Sequence, residues 1–109
     1  MIDPQGAEEF IAKQKVIRDE DTGCASSNYN NGVALMEEGR LDEAIQAFYN
    51  AIADSGRMFE AYANLGYIYF KKGNLVKVIE ANLKAVEIEP RYARGYANIG
   101  FACLQLSKT

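Results

Sequence analysis

The chain has 109 residues, enough for one domain and too few for a second of ordinary size. Apolar residues make up 49% and charged residues 25%, which excludes a disordered tail, a collagen-like rod and a disulfide-dense scaffold. The net charge is -3 and histidine is absent, so the surface has no general attraction for nucleic-acid phosphates and the commonest general base and metal ligand are missing.

Residues 7–20 can form one amphipathic helix with Phe10, Ile11 and Ile17 on a face. Within segment 1–24 it reads as a cap or as the second helix of a degenerate preceding half-repeat, with Asp21-Thr22-Gly23 as the turn out of it. The start, Met1-Ile2-Asp3-Pro4, lacks the basic and apolar regions of a secretory signal, and no apolar run approaches the ~20 residues that cross a bilayer. The expected location is cytoplasmic. Helical spacing then predicts helices near 26–38, 42–54, 60–72, 76–88 and 94–107, with no strand. Gly39-Arg40 and Gly73-Asn74 break the run, because glycine accepts the left-handed conformation that ends a helix. The second helix carries Leu41, Ala44, Ile45, Phe48, Ala51 and Ile52 on one stripe, and the third carries Leu65, Ile68 and Tyr69. Pro90 stops the fourth helix and leads into the fifth.

The elements repeat. Gly32, Gly66 and Gly100 are 34 residues apart, and Tyr62-Ala63-Asn64-Leu65-Gly66-Tyr67 returns as Tyr96-Ala97-Asn98-Ile99-Gly100-Phe101. Units 25–58 and 59–92 share eight identical positions, among them Asn30/Asn64, Gly39/Gly73, Leu41/Leu75, Ile45/Ile79 and Ala51/Ala85.

These residues resemble the tetratricopeptide repeat family, whose unit is a 34-residue helix-turn-helix. Unit 59–92 carries Tyr62, Leu65-Gly66, Tyr69, Ala85 and Pro90 in register; unit 25–58 carries Gly32, Leu35, Ala44, Phe48 and Ala51. Residues 93–109 carry Tyr96, Ile99-Gly100 and Cys103, the first helix of an incomplete third repeat. The resemblance implies an all-α, right-handed superhelical stack of antiparallel helix pairs. It would hold about two and a half repeats plus the N-terminal helix. Four positions depart from the family's pattern. Asn28 replaces an aromatic and Gly56 a proline in the first unit, while Val78 and Asn82 replace an alanine and an aromatic in the second. The last two alter the packing of the fourth helix.

The resemblance also implies a function: a protein-protein interaction module, scaffold or adaptor, that binds a peptide segment of a partner along the concave side lined by the first helices. The groove residues expected on that basis are Tyr29, Asn30, Val33, Asn64, Tyr67, Phe70, Lys71, Arg94, Asn98 and Phe101. Asn30, Asn64 and Asn98 recur on one line, and a side-chain amide can both donate to and accept from an extended backbone. The alternative is that these asparagines belong to the repeat consensus or to local caps. Some family members grip a terminal carboxylate with a five-residue basic and amide clamp. Only Asn64 and Arg94 fit that pattern, so it is not expected here.

Charge divides along the chain, with residues 1–58 acidic and residues 59–109 basic, an arrangement that would orient an acidic partner segment. The lone last helix leaves Ile99, Cys103 and Leu106 uncovered on one side, an edge where the alternative function, a homodimer or helix exchange, would act. Cys24 and Cys103 belong to no CxxC pair, so zinc is not expected, and they read as two reduced thiols, although spacing leaves a disulfide open. No phosphate loop, nucleophile with a base, or ligand cluster is present in the sequence. The expectation is a non-enzyme with no cofactor, no metal, no nucleic acid and no membrane partner.

Overall fold

The computed structural model of the chain describes residues 24–55 and 58–108. The expected helix 7–20 and its capping role lie outside them. The described residues form five helices and no strand: α1 (Cys24–Glu37), α2 (Leu41–Ser55), α3 (Phe59–Lys71), α4 (Leu75–Ile88) and α5 (Ala93–Ser107). Every boundary falls within two residues of the one read from the apolar spacing.

The two hairpin turns are built alike. At the end of α1 the backbone N–H of Arg40 donates to the carbonyl of Leu35 (2.9 Å) and that of Gly39 to Met36 (3.0 Å). At the end of α3, Asn74 donates to Tyr69 (2.9 Å) and Gly73 to Phe70 (3.0 Å). This is the paired-bond helix stop whose central residue must be left-handed, and Gly39 and Gly73 have φ of 80° and 79°. Two different residues then open the second helices. Arg40 chelates Glu43 through Nε (2.9 Å) and Nη2 (2.6 Å), whereas Asn74 caps α4 by accepting from the N–H of Lys77 (3.2 Å).

Each first helix packs on its second helix, and α2 against α3 and α4 against α5 join the units. The main core gathers Tyr29, Ala44, Phe48, Ala51, Met58, Ala61, Leu65, Ile68 and Ala81 across α1 to α4. A smaller cluster of Phe70, Val78 and Ala102 joins α3, α4 and α5. The repeat glycines make these crossings close. A Cβ on Gly32 would lie 2.7 Å from the Phe48 ring, and one on Gly66 would lie 2.6 Å from the Asn82 amide nitrogen. Around Gly100 an added Cβ meets nothing within 4 Å. The third unit therefore has the slot for a second helix, and no described residue fills it.

The departures from the repeat pattern find local solutions. Asn28 stays near the surface and donates to the Asp54 carboxylate (2.7 Å). Val78 is fully buried where the first unit has Ala44. Asn82 is also fully buried, and its Nδ2 donates to the carbonyl of Val78 (2.9 Å), one turn back in its own helix. A polar group without a partner there would cost about 1–3 kcal/mol, which this bond avoids.

Candidate functional site

The ten groove residues separate into two groups. Tyr29, Asn64, Phe70 and Asn98 are buried, so they hold the stack together and present no surface to a partner. This corrects the sequence reading, and the cause is visible in each case. Tyr29 packs inside the first unit, its ring centroid 5.6 Å from that of Phe48. Its hydroxyl accepts from Asn64 Nδ2 at 3.0 Å. Burial, which outweighs that hydrogen bond, raises the Tyr29 hydroxyl pKa well above the usual phenol value. Two of the three asparagines in the line, Asn64 and Asn98, tie units together. Asn64 reaches back from α3 to Tyr29 on α1, and Asn98 reaches back from α5 to accept a place beside Asn82 on α4, its Nδ2 donating to Asn82 Oδ1 at 3.4 Å.

The second group remains accessible. Asn30, Val33, Tyr67 and Phe101 are half-buried, and Lys71 and Arg94 are exposed. Tyr67 and Lys71 are one turn apart on α3, and the Lys71 ammonium sits 5.6 Å from the Tyr67 ring centroid. Such a contact is worth about 0.5–1 kcal/mol at an exposed site. Beneath them Phe70 meets Phe101 of α5 edge to face, centroids 5.6 Å apart at 68°. The result is a short aromatic strip across α3 and α5, fixed from below by a buried ring and bordered by a lysine. On the α5 edge, Ile99 is half-buried, Cys103 is an exposed free thiol and Leu106 is 37% exposed. Tyr96 (53%) and Leu104 (56%) extend the apolar surface of that helix.

Sequence reasoning missed a second concavity. A cleft of about 480 Å³ lies over α2, α3 and α4, lined by Tyr49, Tyr62, Leu65, Tyr69, Ala81 and Leu83, with Lys77, Glu80, Lys84 and Glu87 also in its wall. The Tyr49 and Tyr69 hydroxyls are 3.4 Å apart within it. Partial burial, with the Tyr69 hydrogen bond second, pushes Tyr49 up to about 12. The signal available in the sequence was the tyrosine at 49, which lies on the outward side of the α2 stripe formed by Leu41, Ala44, Ile45 and Phe48.

Among the described residues no group of three or more histidine, cysteine or acidic side chains could hold a metal ion, and no helix is long and apolar enough to cross a membrane. No curated protein matches the chain. The family description "TPR repeat" matches residues 32–73, and "Tetratricopeptide repeat" matches residues 59–92. Helix pairs at a 34-residue period, glycine-mediated crossings and these two matches agree: the chain belongs to the tetratricopeptide repeat family, whose members generally mediate protein–protein interactions.

Proposed function

We infer that the chain is an interaction module that holds a peptide segment of a partner protein along the faces of α1, α3 and α5. The observation that carries this reading is the aromatic strip of Tyr67 and Phe101, seated on buried Phe70 and edged by Lys71. Ordered aromatic side chains supply contact area with little conformational entropy left to lose, which is why they dominate binding hot spots. The exposed Lys71 and Arg94 favour a segment that pairs apolar with acidic residues. No step of such binding calls on a bond-making side chain, in keeping with a family whose repeats typically serve as non-catalytic modules.

The test is selection from a displayed random-peptide library, followed by titration of the enriched peptides. Tyr67→Ala and Phe101→Ala should each weaken those peptides by about tenfold or more while helicity is kept. Equal affinity for folded variants and the original chain would remove the strip from the binding site.

A second reading, self-assembly through α5, is favoured by the open slot at Gly100 and the exposed Tyr96 and Leu104, one turn to either side of it. There, Leu104→Lys would yield a smaller particle of unchanged helicity. Association that survives this change would exclude the α5 edge.

A further inference from the structure

The cleft over α2, α3 and α4 is on no part of the peptide strip, and its wall carries an ordered charge pattern. Along α4 the residues run Lys77, Glu80, Lys84, Glu87, alternating in sign at spacings of three, four and three, and all four line the cleft. Those spacings keep them on one helical stripe. Beside the stripe stand large apolar side chains left in solvent: Tyr49 at 42%, Val76 at 57% and Leu83 at 50% exposure. The floor holds Ala81, a small buried residue between Glu80 and Asn82, so the stripe borders a hollow.

This order of charges is its own complement. Reversed in direction, it places each lysine against a glutamate: Lys77 against Glu87 of a second copy, Glu80 against Lys84, and the two reciprocal pairs. The same register brings the exposed Leu83 side chains of the two copies to one side of the charged stripe, where they can cover each other. A parallel alignment in register would oppose lysine to lysine and glutamate to glutamate. We propose that this cleft docks a second copy of the same chain, α4 against α4 in antiparallel order about a two-fold axis.

An isologous contact of this kind closes on itself and gives a dimer, never a filament. Its area is bounded by one helix of 14 residues, roughly 21 Å long, so the dimer is a weak and reversible one. Exposed ion pairs supply little affinity each, and their part is to fix register and orientation. The Lys77–Glu80 pair within one α4 is stretched to 4.0 Å, so neither group is held firmly by its own helix. The surface is separate from the α5 edge, and the two modes of association are told apart by which substitutions abolish them.

The experiment is sedimentation equilibrium of the full chain over a concentration series, with charge-reversal variants. The original chain should approach twice its monomer mass as concentration rises, and added salt should reduce this. Glu80→Lys/Glu87→Lys turns the stripe wholly basic and Lys77→Glu/Lys84→Glu turns it wholly acidic. Each variant alone should lose self-affinity by about tenfold or more. Mixed, the two should form a one-to-one heterodimer. Leu83→Lys, which leaves the stripe intact, should also be monomeric, and helicity by circular dichroism checks that each variant folds. A chain that is monomeric at every concentration overturns the proposal, as does a mixture that fails to associate. Association of both charge variants as strong as that of the original chain overturns it too, and assigns the contact to another face.

Discussion

The first and second helical hairpins share a backbone plan and differ in what fills it. In α1–α2 the crossing at Gly32 is closed by the Phe48 ring, with Tyr29 tilted against it at 57°. In α3–α4 the equivalent crossing at Gly66 is closed by the Asn82 amide, and Ala63 stands where Tyr29 does. Both hairpins rest on apolar burial, and the second adds at its crossing an amide that bonds within α4 and onward to α5. The second solution does what a phenyl ring cannot: Asn82 offers an acceptor to Asn98, so the same residue both closes its own hairpin and holds α5. Aromatic filling makes a hairpin dense, and amide filling makes a junction directional.

Truncating the two closing residues breaks this comparison most sharply. Phe48→Ala removes a fully buried ring from the main core and should cost about 3–5 kcal/mol. Asn82→Ala removes less volume and strands the Asn98 amide, which should cost about 1–3 kcal/mol. Urea unfolding of both variants gives the difference directly. A double-mutant cycle between Asn82→Ala and Asn98→Ala should show a coupling of about 0.5–1.5 kcal/mol, whereas Phe48→Ala and Asn98→Ala should add. Additivity in the first pair would mean that the 3.4 Å contact contributes nothing, and that α5 is held by packing alone.

The hydrogen bond that joins the two units can be titrated. Tyr29 is buried, and burial raises its hydroxyl pKa in the folded chain above the unfolded value of about 10. A raised acid is stabilising in its protonated form, so this contribution is whole below about pH 10 and is lost as pH climbs beyond it. Above that point stability should fall by about 1.4 kcal/mol per pH unit from Tyr29. Tyr49, pushed up to about 12 and more exposed, adds a smaller loss over the interval from about 10 to 12. Denaturation midpoints measured on either side of pH 10 check the slope, and Tyr29→Phe should flatten it while leaving the Asn64 amide without its acceptor. A slope unchanged in that variant would place the alkaline sensitivity elsewhere.

The fold was legible because periodicity is a property of the whole segment. Glycines at fixed intervals, apolar stripes and the stops at Gly39 and Gly73 each constrain one backbone feature, and they agree. The binding face was less so. Tyr29 and its counterpart Ala63 are both buried, so the fifth position of these two units faces the core, which a residue-by-residue transfer of groove positions does not register. Asn64 and Asn98 have side chains equally suited to a peptide backbone and to an inter-unit tie. Only the position of Tyr29 and Asn82 across the helix crossing decides for the tie. The α4 cleft was hidden for a related reason: Tyr49 and Tyr69 are 20 positions apart and meet only once α2 and α3 are packed.

The three repeat glycines extend the comparison to the unit whose second helix is missing from the described residues. At Gly32 and Gly66 an added methyl collides with Phe48 or Asn82, so alanine there should destabilise the hairpin. At Gly100 the same methyl enters open space on an exposed helical position, with no positive φ to strain it. Alanine is the better helix former, so Gly100→Ala should raise stability by about 0.5–1 kcal/mol. Thermal unfolding at low concentration reads this gain. If α5 is covered by another helix at higher concentration, that helix must approach Gly100 as closely as Phe48 approaches Gly32. The gain should then shrink or reverse as concentration rises. A gain independent of concentration leaves the Gly100 slot open in solution and gives α5 no role in association.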